Sequence, residues 1–239
     1  MPLNVTASPS TGTISSTMPG RGQPLLELLV GYGLILATIW TPRPWQHWLY
    51  MLAVLWIAAT SFIAFPGWAA MGFRRGGFLS SLWIVFAAVI VSAGAIFIAI
   101  RIDTIRHPIN ARGWVMTFGG YVVWSFVQQF LLQGYFLFRF LRLLPRREWA
   151  AVAAAVIFAA AHLPNPILTP ITLALGTFAC FMFLRYRNLI PLAVAHALLG
   201  ITVAITIPGP VVRNMRVGLG YLRYHAPHAP GLEPSPVKR

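Results

Sequence analysis

The feature that most constrains this chain is a series of long apolar segments with almost no charge inside them. A bilayer's hydrocarbon core is about 30 Å thick and is crossed by roughly 20 apolar residues of helix. Seven segments, near 24–40, 48–65, 78–100, 114–138, 149–163, 166–184 and 189–207, approach that length. In hydrocarbon, every backbone N–H and C=O must be bonded within the protein, so only helices or closed barrels span. Barrel strands alternate polar and apolar residues, and these segments do not. The sequence therefore predicts an all-α, polytopic membrane bundle of about seven to eight transmembrane helices. Only 9% of the residues are charged, against about 25% in a soluble domain.

The chain divides into three parts. Residues 1–23 are rich in Ser, Thr, Gly and Pro, a composition that cannot bury a core. Residues 24–207 form the transmembrane domain, and 208–239 form a basic, Pro-rich tail in which His225 and His228 are expected to be solvated. Nothing at the N-terminus has the basic and apolar regions of a signal peptide. Trp40, Trp48, Trp114 and Trp149 stand at segment ends as interfacial anchors do. The formal charge of +14 is carried almost wholly by Arg. Those Arg sit in short loops, where they meet anionic headgroups and set topology, so nucleic acid is not the expected partner. Arg74 and Arg75, the set Arg139, Arg142, Arg146 and Arg147, and the pair Arg185 and Arg187 fall on one side with the N-terminus. That side is read as cytoplasmic, and the expected address is the bacterial cytoplasmic membrane. Arg101, Arg106, Arg112, Arg213 and Arg216 then fall on the other side, against the rule, unless the stretch "VVRNMRVGLGYL" re-enters the membrane.

The polar residues inside the segments carry whatever chemistry the chain has. No Asp or Glu lies mid-segment, Glu27 being at the start of the first. That removes the best evidence for a proton-coupled transporter. What remains is Gln128, Gln129 and Gln133 in "VQQFLLQGYF", Phe158 and His162 in "FAAAH", and His196 in "AHALLG". Gln129 with Gln133, and Phe158 with His162, are four apart and share helix faces. An amide facing lipid costs a few kcal/mol, roughly 2–7 by reference state, so these side chains need partners inside the bundle. A lone His or Gln in a membrane helix is commonly interhelical glue, at about 0.6 kcal/mol per contact. Five on three segments predict convergence on one enclosed cavity opening toward one leaflet. Two histidines fall short of the three protein ligands of a catalytic zinc, so neither metal nor cofactor is expected. Cys180 is the single cysteine and is expected to be a small buried apolar residue.

The order of these motifs resembles the CPBP family, the CAAX proteases and bacteriocin-processing (Abi) intramembrane enzymes. Their pattern is Glu-Glu-x-x-x-Arg, then Phe-x-x-x-His, then His-x-x-x-Asn or Asp, on successive helices. Here the first reads Gln128, Gln129 and Gln133. The second is intact at Phe158 and His162. The third keeps His196 but has Gly200 in place of the amide or acid. The resemblance spans residues 114–205 and implies a CAAX-protease-like bundle and an intramembrane endopeptidase activity. It also implies that the glutamate pair activates water and that the histidines assist.

Both glutamate positions are amides, and an amide does not accept a proton as a carboxylate does. Losing a positioned general base typically costs about 10²–10⁴-fold in rate. The Arg position is also neutral, so both signs of a buried ion pair are absent together. Leaving one charge behind would cost about 3–5 kcal/mol. The expected function is that of a divergent, catalytically silent member. It would bind a membrane peptide, a prenyl chain or a lipid chain at the former active site, or partner another membrane protein. One alternative is an endopeptidase or lipid-modifying enzyme with His162 and His196 as acid and base. The other is an unrelated helical transporter.

Overall fold

The computed structural model describes residues 20–74, 76–106 and 110–225. The expected apolar segments all form helices. They are α1 (Gly22–Trp40), α2 (Trp45–Ile63), α3 (Phe78–Arg101), α4 (Ala111–Gln129), α5 (Phe138–Leu143), α6 (Arg147–Ala160), α7 (Leu168–Tyr186) and α8 (Ile190–Thr206). A π-helical stretch, Phe130–Leu137, joins α4 to α5, so Ala111–Leu143 is one continuous rod. Two short helices follow, α9 (Gly209–Val212) and α10 (Gly218–Leu222). Among the described residues five helices are long and apolar enough to cross a membrane, and Ile190–Thr206 is a shorter apolar one. The protein is an integral membrane protein built of helices. Among the described residues the only β pairing is an isolated bridge between Phe73 and Asn188.

Three asparagines start α4, α7 and α8. Asn110 accepts from the Gly113 N–H at 2.8 Å and opens α4. Asn165 accepts from the N–H groups of Ile167 and Leu168 ahead of α7. Asn188 accepts from Ile190 ahead of α8, where Pro191 takes the first turn. Each satisfies backbone donors that the helix cannot. The main helix pairs are α3 with α8, α6 with α7, α1 with α2, and α4 with α8. Ala150, Ala151, Ala154, Ala155 and Ala159 are all buried in α6. Without a hydrophobic force between helices in lipid, such small residues let the backbones approach and gain dispersion contacts. The segment Leu132–Leu137 is buried at every position, which makes the π stretch the axis of the core.

One correction concerns an arginine. The four-Arg loop was expected to lie wholly at headgroup level, with the fourth span ending at residue 138. Helix continues instead to Leu143, and Arg139 is 1% exposed. Its Nη2 lies 2.8 Å from the Glu27 carboxylate, and its guanidinium lies 3.6 Å from the centre of the Tyr135 ring. Arg142, Arg146 and Arg147 sit at or beyond this helix end. Two of the arginines that opposed the charge rule have partners within the fold. Arg106 donates to the carbonyls of Ala204 and Ile207 at the C-terminus of α8, where four backbone acceptors lack partners and cations are favoured. Arg213 donates to the Tyr221 carbonyl and stacks on the Tyr221 ring. The stretch around them packs on the bundle: Asn165 donates to the carbonyls of Val212 and Arg216, and the Gly218 N–H to Leu163. Arg106 thus caps a helix end and Arg213 holds a loop. Residues 1–19 and 226–239 of the two tails, His228 among them, lie outside the described residues.

Candidate functional site

The polar residues of α4, α6 and α8 meet where the α4 rod crosses α8. Gln129, 4% exposed, points its Nε2 at His196 Nδ1 across 3.1 Å. Gln133, 1% exposed, donates from Nε2 to Gln129 Oε1 at a long 3.4 Å. Its own Oε1 has no hydrogen-bond partner, with the Cys180 thiol alongside. Cys180 is fully buried, as the sequence suggested. Phe158 ties the histidines together: its ring lies 5.1 Å from the His162 ring and 6.4 Å, edge to face, from His196. Gln128 is half-buried and is the one glutamine of the three without a side-chain hydrogen bond among the described residues.

The hydrogen bonds fix the tautomer of His162. Its Nδ1 faces the Phe158 carbonyl at 2.8 Å. A carbonyl only accepts, so Nδ1 carries the proton and Nε2 keeps its lone pair. At His196, Nδ1 meets the Gln129 amide, which has both a donor and an acceptor end, so this contact is made by either ring tautomer. No Asp, Glu, Lys or Arg is among the gathered side chains. A group of three His, Cys, Asp or Glu placed to hold a metal ion is absent among the described residues. A cleft of about 270 Å³ lies at the other end of α6, lined by Arg147, Glu148, Phe181, Leu184 and Arg185. It is separate from this cluster.

The position of Gly200 has an explanation that the sequence did not give. A Cβ built there would collide with the hydroxyl of Tyr121. The side chain absent from α8 makes room for one arriving from α4. Tyr121, Ser125, Gln129 and Gln133 are spaced by four and form a polar stripe along the rod. That stripe was the available signal, in a helix otherwise read only for its glutamines. Ser125 is fully buried and donates to the Tyr121 carbonyl at 2.9 Å.

Residues 110–202 match the family model described as type II CAAX prenyl endopeptidase, Rce1-like. No curated protein and no solved structure matches the chain.

Proposed function

We propose, from the premise that the segment 110–202 belongs to the Rce1-like CAAX prenyl endopeptidase family, that this chain is a divergent member that binds rather than cleaves. The ligand is a membrane peptide, a prenyl chain or a lipid chain held at the former active site, and the setting is a bacterial cytoplasmic membrane. One observation carries the reading: 3.1 Å from His196 Nδ1, at the place where a glutamate would take a proton from water, stands the amide of Gln129, which takes none. A glutamate mechanism has neither its base nor a charge to hold one.

The test is a reconstituted assay with a prenylated, membrane-inserted peptide. The expected result is saturable binding without cleavage. Cleavage by the unmodified protein, lost on His162→Ala, would replace this reading with a second one. That second reading rests on the free Nε2 of His162 and makes the chain a histidine-dependent hydrolase.

A further inference from the structure

We propose that the cleft between the start of α6 and the end of α7 seats one anionic phospholipid, its phosphodiester headgroup held by Arg147 and Arg185. The cleft is separate from the cluster around Gln129, and the inference does not depend on the binding function proposed above.

The argument begins with charge. Arg147, Glu148, Phe181, Leu184 and Arg185 line this cleft of about 270 Å³. Arg147 donates from Nε to Glu148 Oε1 at 3.1 Å, which leaves both Nη groups of its guanidinium outside the pair. Arg185 has no carboxylate within salt-bridge distance among the described residues. Its guanidinium lies 5.3 Å from the centre of the Tyr186 ring. Two arginines and one glutamate leave the cleft with a single net positive charge. A phosphodiester carries a single negative one. Glu148 thus tunes the site, holding one arginine in place and opposing a second anionic charge. Basic pockets between membrane helices take lipid headgroups on these terms.

The rest of the lining sets the kind of anion. Phe181 and Leu184 stand four and three residues before Arg185 and share its face of α7. Phe181 is 37% exposed. From the arginine these two side chains lead down the helix, along the path of an acyl chain whose headgroup lies at Arg185. Aromatic residues mark the level of the membrane surface at this end of the bundle. Trp149, in the first turn of α6, is 60% exposed, and Trp83 Nε1 donates to the Tyr186 hydroxyl at 3.1 Å. A free phosphate ion would meet the arginines and leave the apolar pair unused. A zwitterionic lipid would bring its own cation up to the arginines. An anionic lipid uses both halves of the cleft.

The experiment uses the full chain in a neutral detergent, with lipid titrations read by native mass spectrometry. The probes are palmitoyl-oleoyl phosphatidylglycerol, phosphatidylcholine with the same acyl chains, and inorganic phosphate as a competitor. The unmodified protein is expected to retain one phosphatidylglycerol saturably, about fivefold more tightly than phosphatidylcholine, as one cation near a headgroup provides. Arg185→Gln should abolish that preference and leave phosphatidylcholine binding unchanged. Glu148→Gln removes the opposing carboxylate and should tighten phosphatidylglycerol by a similar factor, a gain that no unfolding could mimic. Arg74→Gln is the control. Arg74 is exposed at the same end of the bundle, where its carbonyl accepts from Asn188, and it does not line the cleft. Its loss should change neither affinity. Four results would each overturn the proposal: no preference for phosphatidylglycerol, equal losses in Arg185→Gln and Arg74→Gln, weaker binding in Glu148→Gln, or displacement of the lipid by excess phosphate. The second would show diffuse attraction to a basic surface, and the last a site for small anions.

Discussion

Two polar clusters lie on one continuous helical rod and solve the problem of burial in opposite ways. Around Gln129 and Gln133 every group is neutral, and amides and imidazoles bond to one another. Ten residues along, at Arg139, the rod buries a full charge and answers it with Glu27 from α1. Tyr135 links that pair to its surroundings, donating to the Glu27 backbone and lying under the guanidinium. Trp56 adds a bond to the same carbonyl. The neutral cluster joins α4 to α8, and the charged one joins α1 and α2 to the rod. The contrast teaches where the chain depends on charge. The ion pair docks the N-terminal helix pair, whereas the family-like site has none.

The largest effect separating the two clusters should come from Arg139→Met. Removing one member of a buried pair leaves an uncompensated charge, at about 3–5 kcal/mol. Thermal unfolding in detergent should show a marked loss, with α1 and α2 the first elements to become protease-sensitive. The double change Glu27→Gln with Arg139→Met should recover much of it, because both charges leave together. A double change as damaging as the sum of the singles would show that the two residues do not act as a pair.

A smaller but distinct effect is expected when charge is put into the neutral cluster. Gln129→Glu places a carboxyl against His196 with no cation near. Desolvation favours its protonated form, so it gains no useful base. Stability should fall by roughly 1–3 kcal/mol, the cost of burying the carboxyl, which keeps one O–H to donate where the amide had two N–H. The triple change Gln128→Glu, Gln129→Glu and Gln133→Arg restores both signs at once and should be better tolerated than the single one. Unfolding curves of the two variants compare them directly. A triple variant less stable than the single one would show that the site cannot seat an ion pair.

The helices were legible because spanning length, Pro and Trp mark them locally. The reading of 78–100 became Phe78–Arg101, and that of 189–207 became Ile190–Thr206. The fourth segment was stopped one residue before Arg139, since a window of sequence sees a cation and not Glu27 more than a hundred positions earlier. The π stretch had no visible signal. The glutamines and histidines were legible as a set, because amides in an apolar run need partners. Which nitrogen faces which oxygen was not, and neither was Tyr121, since a tyrosine in a membrane helix reads as ordinary until the facing Gly200 is seen beneath it. Asn165, fully buried and holding the C-terminal segment, was passed over as part of a Pro-rich boundary.

The smallest expected effect is the sharpest test of the comparison, because it uses the same replacement on the same rod. Gln133 and Arg139 are equally buried, at 1% exposure each. Gln133→Met removes a donor whose bond to Gln129 is long, at 3.4 Å. It also removes an acceptor that has no partner. A typical net hydrogen bond contributes about 0.5–1.5 kcal/mol. Relief of the unpaired oxygen offsets that loss, and the methionine is flexible enough to fill the same space beside Cys180. The change should therefore lie within about 1 kcal/mol of zero, a fraction of the Arg139→Met penalty. The chemistry should respond more than the stability does. With Gln133 gone, nothing orients the Gln129 amide, and His196 is free to move its proton between ring nitrogens. ¹⁵N spectra of labelled protein should show His162 protonated on Nδ1 and a single tautomer at His196 in the unmodified chain. In Gln133→Met, mixed tautomers should appear at His196 alone. Mixed tautomers at His196 already in the unmodified protein would show that Gln133 does not hold the Gln129 amide in one orientation.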